Sequence, residues 1–154
     1  MSGEHHTIER SSPHPSLVPP TPAPDLLGEL VLLAMHASVP RARRFSRSIF
    51  IGCDIPHVRD DAEVLVSELV TNAVRHAATD GRTLRLRLLR VGTRLRIEVH
   101  DPSPSTPRSR HIDLFEETGR GWFLVAAIAE RHGTDLTSSG KSVWCEIRAW
   151  PSAG

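Results

Sequence analysis

Val64-Leu65-Val66-Ser67-Glu68-Leu69-Val70-Thr71-Asn72-Ala73-Val74-Arg75-His76-Ala77 decides how this chain is read. The stretch is rich in Val, Leu and Ala, carries no Pro or Gly, and is long enough to predict a helix. That prediction rests on pattern, because valines alone have only modest helix propensity. Ala62, Leu65, Val66, Leu69 and Ala73 follow the i, i+3, i+4, i+7 spacing of one buried face. Glu68 and Asn72 are neighbours on the helix surface, and at about 100° per residue both fall beside the apolar stripe. A carboxylate and an amide at the edge of a core often line a pocket. On this helix alone the ordinary reading is a solvated flank, with Asn72 making a local hydrogen bond.

The full sequence has 154 residues and a formal net charge of +1. That length suits one domain with a proper core. The near-neutral balance gives no basic excess that would point to nucleic acid. Cys53 and Cys145 are far apart and match no metal or redox spacing, so both are expected as reduced, buried small hydrophobes. His57, His76, His100, His111 and His132 show no ligand spacing either. No apolar run reaches membrane-spanning length, and the first residues lack the apolar segment of a signal peptide. A soluble, cytoplasmic protein is expected. Residues 1–25 run through Ser11-Ser12-Pro13-His14-Pro15 and Pro19-Pro20-Thr21-Pro22-Ala23-Pro24, too Pro-rich to build a core. They are expected to form a disordered tail before a folded domain at 26–152.

Glu29–Ala37 suits either a strand or a buried helix, and the break at Ser38-Val39-Pro40 favours a strand. Pro40 fits the first turn of a helix reaching Phe50, with Gly52 stopping it and Arg41, Arg43, Arg44 and Arg47 on one face. Pro56 is expected to open the central helix, which ends before the turn signal Thr79-Asp80-Gly81. Thr83–Val91 and Arg94–His100 then alternate Leu, Ile or Val with Arg, Thr, Glu or His, joined by Gly92-Thr93 as a tight hairpin. The alternation predicts a sheet covered on one face and wet on the other, against a doubly wound parallel arrangement. A connection of roughly twenty residues follows Asp101, a length typical of a functional lid or a disordered segment. Thr118-Gly119-Arg120-Gly121 leads into Trp122–Ala129, apolar all round and so expected to be buried on most sides. Helix N-termini expose unpaired N–H groups, and glycines let a phosphate approach them. Gly133 is expected to close this helix, with two further strands at Asp135–Ser138 and Ser142–Trp150.

Taken in order, these features form a pattern. Glu68-x-x-x-Asn72 lies on a helix, Asp101 just after a strand, Gly119-x-Gly121 at a helix start, and Gly140-Lys141-Ser142-Val143-Trp144 on a late strand. The pattern resembles the GHKL (Bergerat-fold) ATPases, and within them the small anti-sigma-factor serine/threonine kinases, over about residues 30–150. The resemblance implies a two-layer α/β sandwich whose mixed, largely antiparallel sheet carries helices on one face. It also implies ATP and Mg2+ as ligands. Asn72 matches the magnesium-holding asparagine, and Glu68 the carboxylate that orients or deprotonates the attacking hydroxyl. Asp101 matches the aspartate that accepts from the adenine amino group. Gly119, Arg120 and Gly121 match the turn beside the phosphates, and Ser142 a hydroxyl residue supporting the adenine pocket.

The implied activity is phosphorylation of a serine on an antagonist protein by a kinase that also binds a sigma factor or similar client. Kinases of this type commonly form homodimers. One departure stands out: the family's Asp-x-Gly-x-Gly box is here Asp101-Pro102-Ser103-Pro104-Ser105, with rigid prolines and serines in place of glycines. It motivates a second expectation, a non-catalytic interaction module. A third, nucleic-acid binding, would use Arg41, Arg43, Arg44, Arg85, Arg87, Arg94 and Arg96.

Overall fold

The computed structural model describes residues 23–77, 82–102 and 120–152. The described residues form five strands and three helices: β1 (Asp25–Leu33), α1 (Ser38–Gly52), α2 (Arg59–His76), β2 (Thr83–Val91), β3 (Arg94–Asp101), α3 (Arg120–Ile128), β4 (Arg131–Thr137) and β5 (Gly140–Arg148). The strands make one sheet in the order β1-β2-β3-β5-β4. Every pairing among the described residues is antiparallel, in keeping with the expected largely antiparallel sheet, though none of these pairs is parallel as a mixed sheet would require. The disordered tail, the turn at 79–81 and the lid at 103–119 fall outside the described residues, apart from the last residues of the tail.

Register explains which residues make the core. Leu30, Leu86, Val99 and Val143 form one row across the sheet, and Leu88, Ile97 and Cys145 the next. These rows face the helices and belong to a single hydrophobic cluster with Ala62, Leu65, Val66, Leu69 and Ala73 of α2. The apolar stripe read from sequence is therefore the helix's buried face. Cys145 lies wholly inside, and burial pushes its thiol up; Cys53 is half-buried, and both are free.

Several boundaries shift for physical reasons. β1 is a strand, as the break at Pro40 suggests. Pro56 precedes the central helix rather than opening it, because Ile55–Val58 closes a turn (Val58 N–H to Ile55 O, 3.1 Å). Gly133 does not close the last helix: α3 stops at Ile128, and Gly133 pairs with Trp144 inside β4. A Cβ at Gly133 would lie 2.8 Å from the Trp144 ring, so the indole occupies the place of the missing side chain. Nor is α3 buried on most sides. Val125 is fully buried, but Phe123 is 75% and Leu124 43% exposed.

The other face of the sheet carries an ion-pair lattice. One row reads Glu29, Arg87, Glu98, Trp144, Gly133 and the next Leu26, Leu89, Arg96, Glu146, Arg131. Arg96 donates from Nε to Glu98 (2.6 Å) and from Nη1 to Glu146 (2.9 Å), while its guanidinium lies 4.1 Å from the Trp144 ring centroid. His100 Nε2 donates to Glu98 at 2.9 Å. Burial pushes the Glu98 carboxyl up, but the hydrogen bonds from His100 and Arg96 outweigh it and hold the group down at about 2.

A carboxylate held low stabilises the fold above its unfolded pKa and loses that contribution as pH falls toward the folded one. Glu98→Gln should be less stable than the wild type at pH 7. The gap, up to about 3 kcal/mol, should close between about pH 4.5 and pH 2 in urea melts.

Candidate functional site

Strand order brings the sequence-predicted residues to one end of the sheet. β3 ends there at Asp101 and β5 begins there, with Asp101 opposite Lys141. β2 starts at the same end, since Arg85 pairs with His100. The chain leaves α2 at His76 and re-enters the sheet at Thr83, after Arg82, whose Nη1 lies 4.0 Å from Asp101 Oδ1. The C-terminal half of α2, carrying Glu68 and Asn72, is thus directed toward this end. α3 feeds β4, whose Arg131 pairs with Glu146 at the far end. Its first described turn, at Arg120 and Gly121, therefore lies back toward the Asp101 end of the sheet. Gly119 falls outside the described residues.

Asn72 is only 8% exposed, which overturns the solvated-flank reading. Its carboxamide Oδ1 is buried and has no hydrogen-bond partner among the described residues. A buried acceptor left unmade costs about 1–3 kcal/mol, so this oxygen is able to accept from a donor or cation brought to it. Glu68, one turn earlier, is half-buried on the same helix.

Asp101 is 3% exposed. It alternates with Val99 and so points to the helix-covered face, on the same side as Lys141. Both border a cavity of about 350 Å³ at this end of the sheet, whose other walls include Val31, Arg85 and His100 of the ion-pair face. Ser142 does not share this face. Its neighbours across the sheet are His100 and Asp135, on the ion-pair side. Ser142, expected to support an adenine pocket, thus lies on the opposite face from Asp101, whose cross-strand neighbour is Lys141. Period-two alternation carried the signal: Val143, Cys145 and Ile147 are core residues, so Lys141 is in phase with them and Ser142 is out of phase. Arg82 was also missed, since nothing in its local sequence marks it.

The family model of the histidine kinase-like ATPase domain matches residues 32–147, from within β1 to the penultimate residue of β5. The chain belongs to this family. No curated protein matches it. Membership supports ATP binding in a regulatory setting and fits the antiparallel sheet with its three helices. No helix among the described residues is long and apolar enough to cross a membrane.

Mg2+ fits the residues present. Among the described residues no three His, Cys, Asp or Glu side chains converge on one point. A magnesium ion keeps several waters and takes one or two protein oxygens plus phosphate oxygens, so a single orphaned amide oxygen suits it.

Gly140 sets the separation of the two strands at this histidine kinase-like site. It has φ +152°, and a Cβ there would come within 2.0 Å of the Asp101 carbonyl oxygen. Gly140→Ala should cost about 1–3 kcal/mol in chemical denaturation and displace Asp101, seen as loss of any nucleotide-induced rise in Tm.

Proposed function

We propose that this chain is an ATP-dependent regulator of the anti-sigma-factor kinase type. It binds Mg-ATP, holds a sigma factor or similar client, and phosphorylates a serine on an antagonist protein. The buried Oδ1 of Asn72, without a hydrogen-bond partner among the described residues, is the observation that carries this reading, because a cation or donor brought by a ligand would complete it. Bound magnesium would neutralise charge on the phosphates. Asn72 would hold it, and Asp101 would accept from the adenine amino group. Glu68 would orient the serine hydroxyl and take its proton as the oxygen attacks the γ-phosphorus and ADP leaves. The α3 N-terminus would offer N–H groups to the phosphates.

The Arg-rich sheet face favours this reading over nucleic-acid binding. Arg85 pairs with Glu29 (3.1 Å), Arg87 with Glu98 (3.5 Å), Arg94 with Glu130 (2.9 Å) and Arg96 with Glu98 and Glu146. Arginines already matched to carboxylates leave little net charge for a phosphate backbone. The non-catalytic module keeps one argument, the Pro- and Ser-containing box after Asp101.

Mg-ATP should raise the Tm of the wild type, since a ligand confined to the native state stabilises it. Asn72→Ala should weaken Mg-ATP at least about 10-fold in isothermal titration, the loss expected for a contact to a charged partner. Unchanged affinity refutes the site. Glu68→Ala should keep ATP binding and abolish transfer of radiolabelled phosphate to the antagonist; absence of transfer by the wild type selects the non-catalytic module.

A further inference from the structure

The charges of α1 run against the pattern that α2 follows. α2 opens with Asp60 and Asp61 and closes with Arg75 and His76, as the helix dipole favours. α1 has no acidic residue in its first turn, places Arg41 there instead, and continues with Arg43, Arg44 and Arg47 and no carboxylate along its length. Arg43 and Arg47 are four apart, and Arg44 is three from both Arg41 and Arg47. Like charges are thus neighbours on the helix surface and oppose its formation. The chain as a whole is balanced, with 19 Lys and Arg against 18 Asp and Glu, so the concentration belongs to this helix. On the sheet, Arg85, Arg87, Arg94, Arg96, Arg131 and Arg148 each have a carboxylate partner. Arg41, Arg43 and Arg44 are exposed and have no ion-pair partner among the described residues. Folding alone does not account for them.

At about 100° per residue, Pro40, Arg43, Arg44, Arg47 and Ile51 fall on one stripe of α1, opposite Ala42, Phe45 and Ile49, which pack into the core. Pro40 and the three arginines of the stripe line a cleft of about 250 Å³. Arg47 donates from Nε to Glu63 at 2.6 Å, so one guanidinium of the cleft is already positioned. Ile51, 59% exposed, ends the stripe, and Met35, 47% exposed, stands just before the helix at the other end. A row of guanidinium groups bounded by apolar side chains complements a row of carboxylates bounded in the same way. We infer that α1 is a docking surface for an acidic helical segment of a partner protein, whose carboxylates face Arg43, Arg44 and Arg47. Nucleic acid fits this surface less well. A continuous phosphate backbone would run on past Asp54, Asp60 and Asp61, which follow the basic stripe beyond the end of α1. The inference does not rest on the nucleotide reading above.

Fluorescence anisotropy tests this in the full-length protein at low salt and without nucleotide. The probe is a dye-labelled helical peptide with Glu at i, i+3, i+4 and i+7 and Leu at both ends. The wild type should bind it at least about 10-fold more tightly than the same peptide with Gln in place of Glu, the sum expected of three exposed pairs. That preference should shrink as salt is added. Arg43→Gln/Arg44→Gln should lose the preference yet keep or raise Tm, because it relieves like-charge pairs without uncovering the core. Arg148→Gln, on β5, should bind the Glu peptide as the wild type does. A short DNA duplex should bind the wild type more weakly than the Glu peptide. Equal wild-type affinity for the Glu and Gln peptides overturns the inference, as does a double variant that keeps the preference. DNA bound more tightly than the Glu peptide overturns it in favour of a nucleic-acid surface. The wild-type comparisons alone decide it if the double variant folds poorly.

Discussion

The packing of β3 against α2 is the constraint on which the rest depends. Leu95, Ile97 and Val99 enter the helix-covered cluster, and a strand offers no freedom to turn the next residue of the series elsewhere. Asp101 must therefore continue on the core side, although a carboxylate is expensive to bury alone. The fold accepts that cost at the end of the strand, where Arg82 and Lys141 lie close by. A one-residue slip of β3 would move Asp101 to the ion-pair face and Glu98 into the hydrocarbon core. Site and core are thus set by one register.

The opposite face obeys the same period with different chemistry. Glu98 and Glu146 are almost fully covered, each by more than one cation, and the Trp144 ring is stacked against Arg96 over the bare backbone of Gly133. Removing one partner from such a cluster leaves a desolvated charge, so the lattice is sensitive to single substitutions even where its net stabilisation is small. It also makes the alignment of β2, β3 and β5 specific, because cross-strand pairs of opposite charge are lost when the register slips.

Much of this was legible in the sequence, and the failures have particular causes. The helix bearing Glu68 and Asn72, the hairpin at Gly92-Thr93 and the one-sided sheet followed from periodicity, which registers burial directly. Asn72 looked solvated because a stripe drawn from one helix omits what covers its flanks; α1 and α3 both pack against α2 and widen its buried arc. Trp122–Ala129 looked buried because apolar composition does not say how many neighbours a helix will have. Gly133 looked like a stop signal because a glycine under a cross-strand indole leaves no local trace. Ser142 was read by residue type, and the phase of β5 places it on the opposite face from Asp101.

The sheet order has one more consequence. Elements β1 through β3 form one continuous piece of chain, and α3 through β5 another; they are joined by the β3–β5 ladder and by α2 packing on α3 and β5. Glu68, Asn72 and Asp101 belong to the first piece, Gly121 and Lys141 to the second. A nucleotide in this site would lie across the joint and act as a removable cross-link. Hydrolysis or release would then loosen the seam itself, so the chemical state of the ligand and the mechanical state of the domain would be a single variable.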